Sequence, residues 1–280
     1  MRKKEEKRSS KLRGFIIILI LLISFVILYG RYIEPSLLLV NEYNIEDNNL
    51  DKTFGTLKIV HFSDILYGST TDIDTIKNVT KLINEKKPDI VIYTGDLVSK
   101  DISIDEKIVN KIENELNSIE ATYGKYYVGG DNDIEFESYN TLMENSGFES
   151  LNDDYKILYN KESASFLISG TKYKSDLKVL EDIKYEGFKI NIMHTPDTMD
   201  KIDYLDYNYA FAGHSLNNQI NIPFINKLLL KNGSNLYYAP YYGVNDTELY
   251  ISNGIGCDKF NFRINSIPSI NVYKIKNTSK

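Results

Sequence analysis

Five short apolar segments of this chain each run straight into an aspartate or a histidine, and this recurrence constrains the fold more than any other feature. Residues 59–63 lead to Asp64, 90–95 to Asp96, 126–130 to Asp131, 190–193 to His194 and 210–213 to His214. Helix-like stretches lie between some of them. Residues 73–85 place Ile73, Ile76, Val79, Leu82 and Ile83 at helical spacing before Pro88, and 104–119 repeat apolar residues in the same way. Further strands are expected at 164–168, 249–251 and 270–275. Alternating strands and helices predict an α/β domain with helices packed on sheet. In such sheets ligands bind just beyond the carboxyl ends of strands, and carboxylate plus imidazole is a metal-ligand set. A single Asp after a strand is usually a turn or helix-cap residue. Two of the chain's three histidines occupy such ends, however, which favours one convergent site. The third, His61, lies three residues before Asp64, so strand alternation turns it to the opposite face and it reads as a core or edge histidine.

The N-terminus carries a different signal. Arg2, Lys3, Lys4, Lys7, Arg8, Lys11 and Arg13 stand against only Glu5 and Glu6, while the whole chain has a net charge of −6, so an acidic body follows a basic leader. That balance excludes nucleic acid as the main partner. Residues 15–28 are apolar apart from Ser24, at the short end of what spans a bilayer. A cleaved signal peptide shares this pattern, but bulky Tyr29, Arg31 and Tyr32 stand where its small-residue cleavage site belongs. The expected organisation is a cytoplasmic leader at 1–13, a single transmembrane anchor at 14–32, a connecting segment at 33–55 and a domain outside the cell at 56–277. Cys257 is the only cysteine, so no internal disulfide supports the fold, which must rest on an apolar core.

The order of the strand ends resembles that of the calcineurin-like metallophosphoesterases. The family's pattern is Asp-x-His, Gly-Asp, Gly-Asn-His-Asp, a lone His and Gly-His-x-His. Here these stand as Asp64-Ile65-Leu66, Gly95-Asp96, Gly130-Asp131-Asn132-Asp133, His194 and Gly213-His214-Ser215-Leu216. Lys87-Pro88-Asp89 before the second element and Thr195-Pro196-Asp197 after the lone histidine also resemble the family, and Ile33-Glu34-Pro35 behind the apolar stretch resembles its membrane-attached branch. The resemblance implies a two-sheet β-sandwich flanked by helices, and two divalent metals ~4 Å apart that clamp a phosphate and activate water.

The departures from the pattern fall on one half of that site. The first metal would use Asp64, the residue at Leu66, Asp96 and the residue at Leu216, and leucine offers no lone pair. A second metal is therefore not expected there, and Asp64 with Asp96 should form a carboxylate pair in which one pKa is raised. Asp96, Asp131 (in place of Asn), His194 and His214 can all coordinate, which implies one divalent cation, Zn, Mn or Fe. Asn132 stands at the position of the proton-donating His, and losing such a group typically costs ~10²–10⁴-fold in rate. Asn217 and Asn218 replace a Gly-Gly pair, and Asn is the non-glycine residue best suited to positive φ. Tyr67, Tyr237, Tyr238, Tyr241 and Tyr242 near the site loops could line a lipid-facing or ligand groove, but tyrosine-rich loops are more often simple packing. Three readings stay open: a single-metal hydrolase acting on a phosphorylated small molecule or lipid, a catalytically inactive binding module on the same scaffold, and a purely structural protein with an empty site.

Overall fold

The computed structural model describes residues 2–100 and 102–279, without the side chains of 2–10 and of Lys227. The charges expected of the leader at Arg2, Lys3, Lys4, Lys7 and Arg8 therefore lie outside the described residues. Helix α1 (Arg2–Leu28) loosens into a π-turn at Tyr29–Ile33 and a 3₁₀ turn at Glu34–Ser36. Within it Lys11–Ser36, 26 residues, is long and apolar enough to cross a membrane. Its large side chains, Phe15 to Leu28, are exposed.

The body follows as β1 (Leu39–Glu46), β2 (Thr56–Phe62), α2 (Ile73–Lys86), β3 (Ile90–Tyr93), α3 (Glu106–Asn117), β4 (Gly124–Tyr127), α4 (Tyr139–Asn145) and β5 (Glu149–Ser150). Next come β6 (Asp154–Tyr159), β7 (Ser165–Thr171), the short α5 (Lys178–Glu181), β8 (Lys189–Met193) and β9 (Tyr209–Ala212). The hairpin β10 (Tyr241–Val244) and β11 (Thr247–Ile251) and the closing β12 (Ser269–Lys276) complete it. They form two six-stranded mixed sheets, ordered β1-β12-β2-β3-β4-β5 and β10-β11-β9-β8-β7-β6.

Period-two alternation makes the sandwich. Ile59, Ile90, Ile92 and Tyr126 of the first sheet point inward against Phe166, Ile168, Ile190, Ile192 and Phe211 of the second. The residues between them, Val60, Phe62, Val91 and Tyr93, face outward under Ile76, Val79 and Ile83 of α2 and Ile112 and Leu116 of α3. Both helices start at aspartate caps: Asp72 accepts from Thr75 N, and Asp105 from Ile108 N. Lys87 at φ 50 ends α2 just before Pro88. His61 is a core residue, as expected. It is fully buried, with Nε2 2.9 Å from Thr94 Oγ1 and its ring against Phe211, and burial pushes its pKa down to about 3.

Residues 33–55, expected as a connecting segment, are instead built into the sandwich. β1 pairs in parallel with β12 along its whole length, from Leu39 opposite Ser269 to Glu46 opposite Lys276. Tyr43 stacks on Tyr273 with ring centroids 5.0 Å apart, and Glu42 pairs with both Lys86 (2.8 Å) and Lys274 (2.5 Å). The polar residues of β1 hid its edge-strand character, because only one of its faces is covered. A fragment beginning at residue 56 should therefore be less stable than one beginning at residue 33, since it loses the partial burial of Tyr43 and Ile45, worth less than the about 1.5–3 kcal/mol of full burial each. Denaturant midpoints of the two fragments check this; equal midpoints would mean that β1 is dispensable.

Candidate metal centre

The five sequence-predicted strand ends lie on one rim of the sandwich, because β2, β3 and β4 run parallel to one another, as do β8 and β9. The structure brings Asp96, Asp131, His194 and His214 together: one ligand-capable atom from each lies within 4.8 Å of all the others. Asp64 sits beside this group, where its Oδ2 accepts from His214 N at 3.0 Å.

The backbone sets which nitrogen of each imidazole faces inward. His194 Nδ1 lies 2.6 Å from Thr94 O, and a carbonyl can only accept, so Nδ1 carries the proton and Nε2 presents a lone pair. His214 is held the opposite way round, with Nε2 donating to Asn232 O at 2.9 Å and Nδ1 facing in. The two inward nitrogens are 3.1 Å apart. Asp131 Oδ1 lies 3.0 Å from His194 Nε2 and 3.1 Å from His214 Nδ1, and Asp96 Oδ2 is 3.5 Å from His194 Nε2. Four acceptors thus converge with no donor among them, which demands positive charge, as a proton or as a cation. The titration directions agree. Burial lowers the pKa of His194, but Asp96 and Asp131 outweigh it and hold the ring well above the ordinary value. Burial raises Asp131, but the two imidazoles outweigh it and hold the carboxyl far below the ordinary range.

This convergence is held by left-handed backbone at Asp64 (φ 50), Asp96 (φ 63) and His214 (φ 64), a conformation that costs a non-glycine residue about 1–3 kcal/mol. Asp133 braces the loops: its carboxylate accepts from Asp96 N (2.7 Å), Leu97 N (3.0 Å) and Gly130 N (2.8 Å). Asn132 N donates to Asp96 Oδ1 at 3.0 Å and so orients that carboxylate. Gly130 must be glycine, because a Cβ there would lie 2.2 Å from Asp96 Oδ1 and 2.7 Å from His194 Cε1.

The other half of the site is apolar. Leu66 and Leu216 are buried, both at positive φ (49 and 53). Leu216 reaches over Gly254 to the side of Asp64: a Cβ on Gly254 would meet Leu216 Cδ2 at 2.3 Å and Asp64 Cβ at 2.9 Å. Asp64 Oδ1 is buried without a hydrogen-bond partner, while Oδ2 also accepts from the Ser63 hydroxyl. Burial first, and then Asp96, push the Asp64 carboxyl up against the pull of His194 and Lys231, in line with the expected carboxylate pair. Asn217 (φ 47) and Asn218 (φ 59) adopt the left-handed backbone expected of them.

Sequence reading missed Lys231 and Asp258, and gave Asp133 no role beyond its place in the motif. Lys231 lines the same cleft of about 400 Å³ as Asp96, Asp131, Asn132 and His214, and its Nζ lies 3.0 Å from Asp258 Oδ2. Burial works against its charge, but Asp258, Asp64 and Asp96 outweigh it and hold the ammonium above its ordinary pKa. No motif marks it, since it follows Leu228-Leu229-Leu230 in an irregular loop. The loop tyrosines pack, as expected: Tyr237 lies edge-on to Tyr242, whose hydroxyl accepts from Tyr238 N and Ala239 N.

Residues 57–256, more than half of the chain, match the calcineurin-like phosphoesterase profile. The chain belongs to the calcineurin-like phosphoesterase family. Among its relatives, the uncharacterized metallophosphoesterase YkuE of Bacillus subtilis is 27% identical over 264 residues, covering 90% of each chain. The uncharacterized metallophosphoesterase Cj0846 of Campylobacter jejuni is 28% identical over 229 residues, 78% of this chain and 58% of that one. The UDP-2,3-diacylglucosamine pyrophosphatase LpxG of Chlamydia trachomatis is 23% identical over 247 residues, 70% of this chain and 74% of that one. Enzymes of this family use divalent metals, and the four-residue group suits one: all four side chains offer lone pairs, and both imidazoles have their outer nitrogens already tied to carbonyls.

The brace makes a stability prediction for this phosphoesterase. Asp133→Asn turns one acceptor oxygen into a donor facing backbone N–H groups, and each buried N–H left unpaired costs ~1–3 kcal/mol. Thermal melts of the metal-free variant should show that loss; an unchanged melting temperature would mean that the loops hold without Asp133.

Proposed function

We propose that this phosphoesterase is a membrane-anchored, single-metal phosphoester hydrolase in which Asp96, Asp131, His194 and His214 hold one divalent cation, Zn, Mn or Fe. The observation that carries the reading is the pair of imidazole lone pairs 3.1 Å apart, both facing one oxygen of Asp131, an arrangement that a cation satisfies and that no hydrogen bond between the two neutral rings can. A cation bound there would polarise a phosphoryl oxygen and lower the pKa of bound water. The chain's own groups do the rest. Asn132, which lines the cleft, can donate a hydrogen bond to a leaving oxygen but has no proton to transfer near neutral pH. The Lys231 ammonium adds positive charge beside Asp64 and Asp96, where Leu66 and Leu216 leave no imidazole for a second metal.

The anchor at 14–32 would place the basic leader in the cytoplasm and the domain outside it. The substrate is a phosphorylated small molecule or lipid; the relative named as a diacylglucosamine pyrophosphatase supports an amphiphile. A second reading, a module that binds phosphoesters without cleaving them, is favoured by Asn132 at the proton-donor position and by the two leucines.

Metal analysis followed by turnover separates the two. Full-length protein in detergent, stripped and reloaded with Mn²⁺, should hold about one equivalent and hydrolyse an aryl phosphate. His214→Ala should lose at least ~10-fold in metal affinity and the turnover with it. Metal bound without turnover would leave the binding module; no bound metal would overturn both. The affinity should also climb with pH beyond the ordinary histidine range of about 6.5. A raised His194 pKa means that proton and cation compete until the pH passes that higher value, so affinity is lost as pH falls. Indicator titrations from mildly acidic to mildly alkaline pH check this sign, and a flat profile would contradict it.

A further inference from the structure

The anchor enters the domain on the same rim as the metal centre, and the contacts there are specific. Leu39 of β1 pairs with Ser269, and β12 runs antiparallel to β2, with Asn271 opposite His61. The start of β1 therefore lies at the same rim as the carboxyl end of β2 and Asp64, with β12 between them. Three contacts tie the chain between α1 and β1 to residues 261–266. Gly30 O accepts from Arg263 N at 2.8 Å, Arg31 Nη1 donates to Asn261 O at 3.0 Å, and buried Glu34 accepts from Ser266 N at 2.6 Å. Gly30 leaves no room for a side chain, since a Cβ would lie 2.5 Å from the Phe262 ring. Arg263 is buried whole, donating to Asn253 O, Ser266 O and Gly256 O. The junction is thus fixed rather than a free tether.

The cleft wall starts one residue before this junction and carries unpartnered apolar side chains. Phe260 lines the cleft and is 62% exposed. Gln219 Nε2 donates to Phe262 O at 2.9 Å, and Asn221 N to Ile264 O at 2.9 Å, which sets the next loop alongside. That loop shows Phe224 at 98% and Leu228 at 82% exposure, with Ile225 and Leu229 also exposed and Leu229 in the cleft wall. Asn218 Nδ2 pins it to the site by donating to Asn226 O at 2.5 Å. Lys259 stands exposed beside Phe260, suited to anionic headgroups. An apolar cluster of this kind beside a charged cleft marks an interaction surface, and the fixed junction with an apolar helix says which surface.

We propose that Phe224, Ile225, Leu228, Leu229 and Phe260 form a rim that seats in the bilayer holding α1, so that the cleft opens at headgroup level and acts on the phosphoester of a membrane lipid. The substrate half rests on the hydrolase reading; the seating of the rim does not. In the reaction one water is consumed. Its oxygen bonds to phosphorus, the P–O bond to the lipid oxygen breaks, and that oxygen leaves as an alcohol with a proton from water.

The test uses full-length protein in lipid nanodiscs. A fluorophore is placed at Leu228→Cys or, as control, at Tyr159→Cys, while native Cys257 is buried and stays unlabelled. Tyr159 is exposed and pairs with Ser165 at the start of β7, the end of the sheet away from the site. Lipids carrying quenchers on their acyl chains should remove most emission at Leu228→Cys and leave Tyr159→Cys unchanged. Equal response at the two positions would overturn the rim. Independently, the double variant F224S/L228S should keep its turnover of a soluble aryl phosphate and lose ~10-fold or more on anionic phospholipid vesicles. Equal effects on the two substrates would overturn the lipid assignment. If wild-type protein turns over neither substrate, the hydrolase reading falls and the lipid substrate with it, while quenching still decides the rim.

Discussion

The site depends on two imidazoles made to face each other with their lone pairs. Thr94 O and Asn232 O take the outer protons of His194 and His214 and so fix which nitrogen of each ring faces the other. Asp131 then adds a negative charge facing two nitrogens that can donate to it only by taking up a further proton. Such a cluster is unstable alone in a low-dielectric rim and becomes stable when a positive charge enters it. The strained backbone at Asp64, Asp96 and His214, the brace at Asp133 and the bare Cα of Gly130 serve the same end. Each is unfavourable or restrictive where it stands, and each keeps lone pairs aimed at one point.

The second feature is asymmetry. One half of the rim gathers four ligand-capable side chains, whereas the other pairs a buried carboxylate with Leu66 and Leu216. The leucines keep left-handed backbone, which favours glycine or asparagine over leucine. That half of the rim thus keeps a strained loop backbone around side chains that offer no lone pair. Lys231 in the cleft pulls the Asp64 carboxyl down, but burial and Asp96 outweigh that pull.

Much of this was legible in the sequence because the signals were periodic. Inward and outward alternation in β2 and β3, the helical spacing of α2 and the position of each Asp and His after its strand all follow from local geometry. The assignment of His61 to the core followed from counting residues along one strand. What escaped had no local period. β1 is an edge strand with one covered face, so its Asn and Glu residues masked it until β12 was there to pair with. Asp133 acts through three backbone N–H groups that only the folded loops bring together, and Lys231 reaches the cleft from an irregular segment. Long-range partners of this sort are not written in the spacing of their own neighbours.

The account stands on the claim that both imidazoles and the two carboxylates bind a single cation. X-ray absorption at the metal edge of protein loaded with one equivalent of Zn²⁺ tests it directly. The expected spectrum has a shell of nitrogen and oxygen only, with the outer-shell scattering of two imidazole rings. Zinc bound with no imidazole scattering, or with that of a single ring, would contradict it.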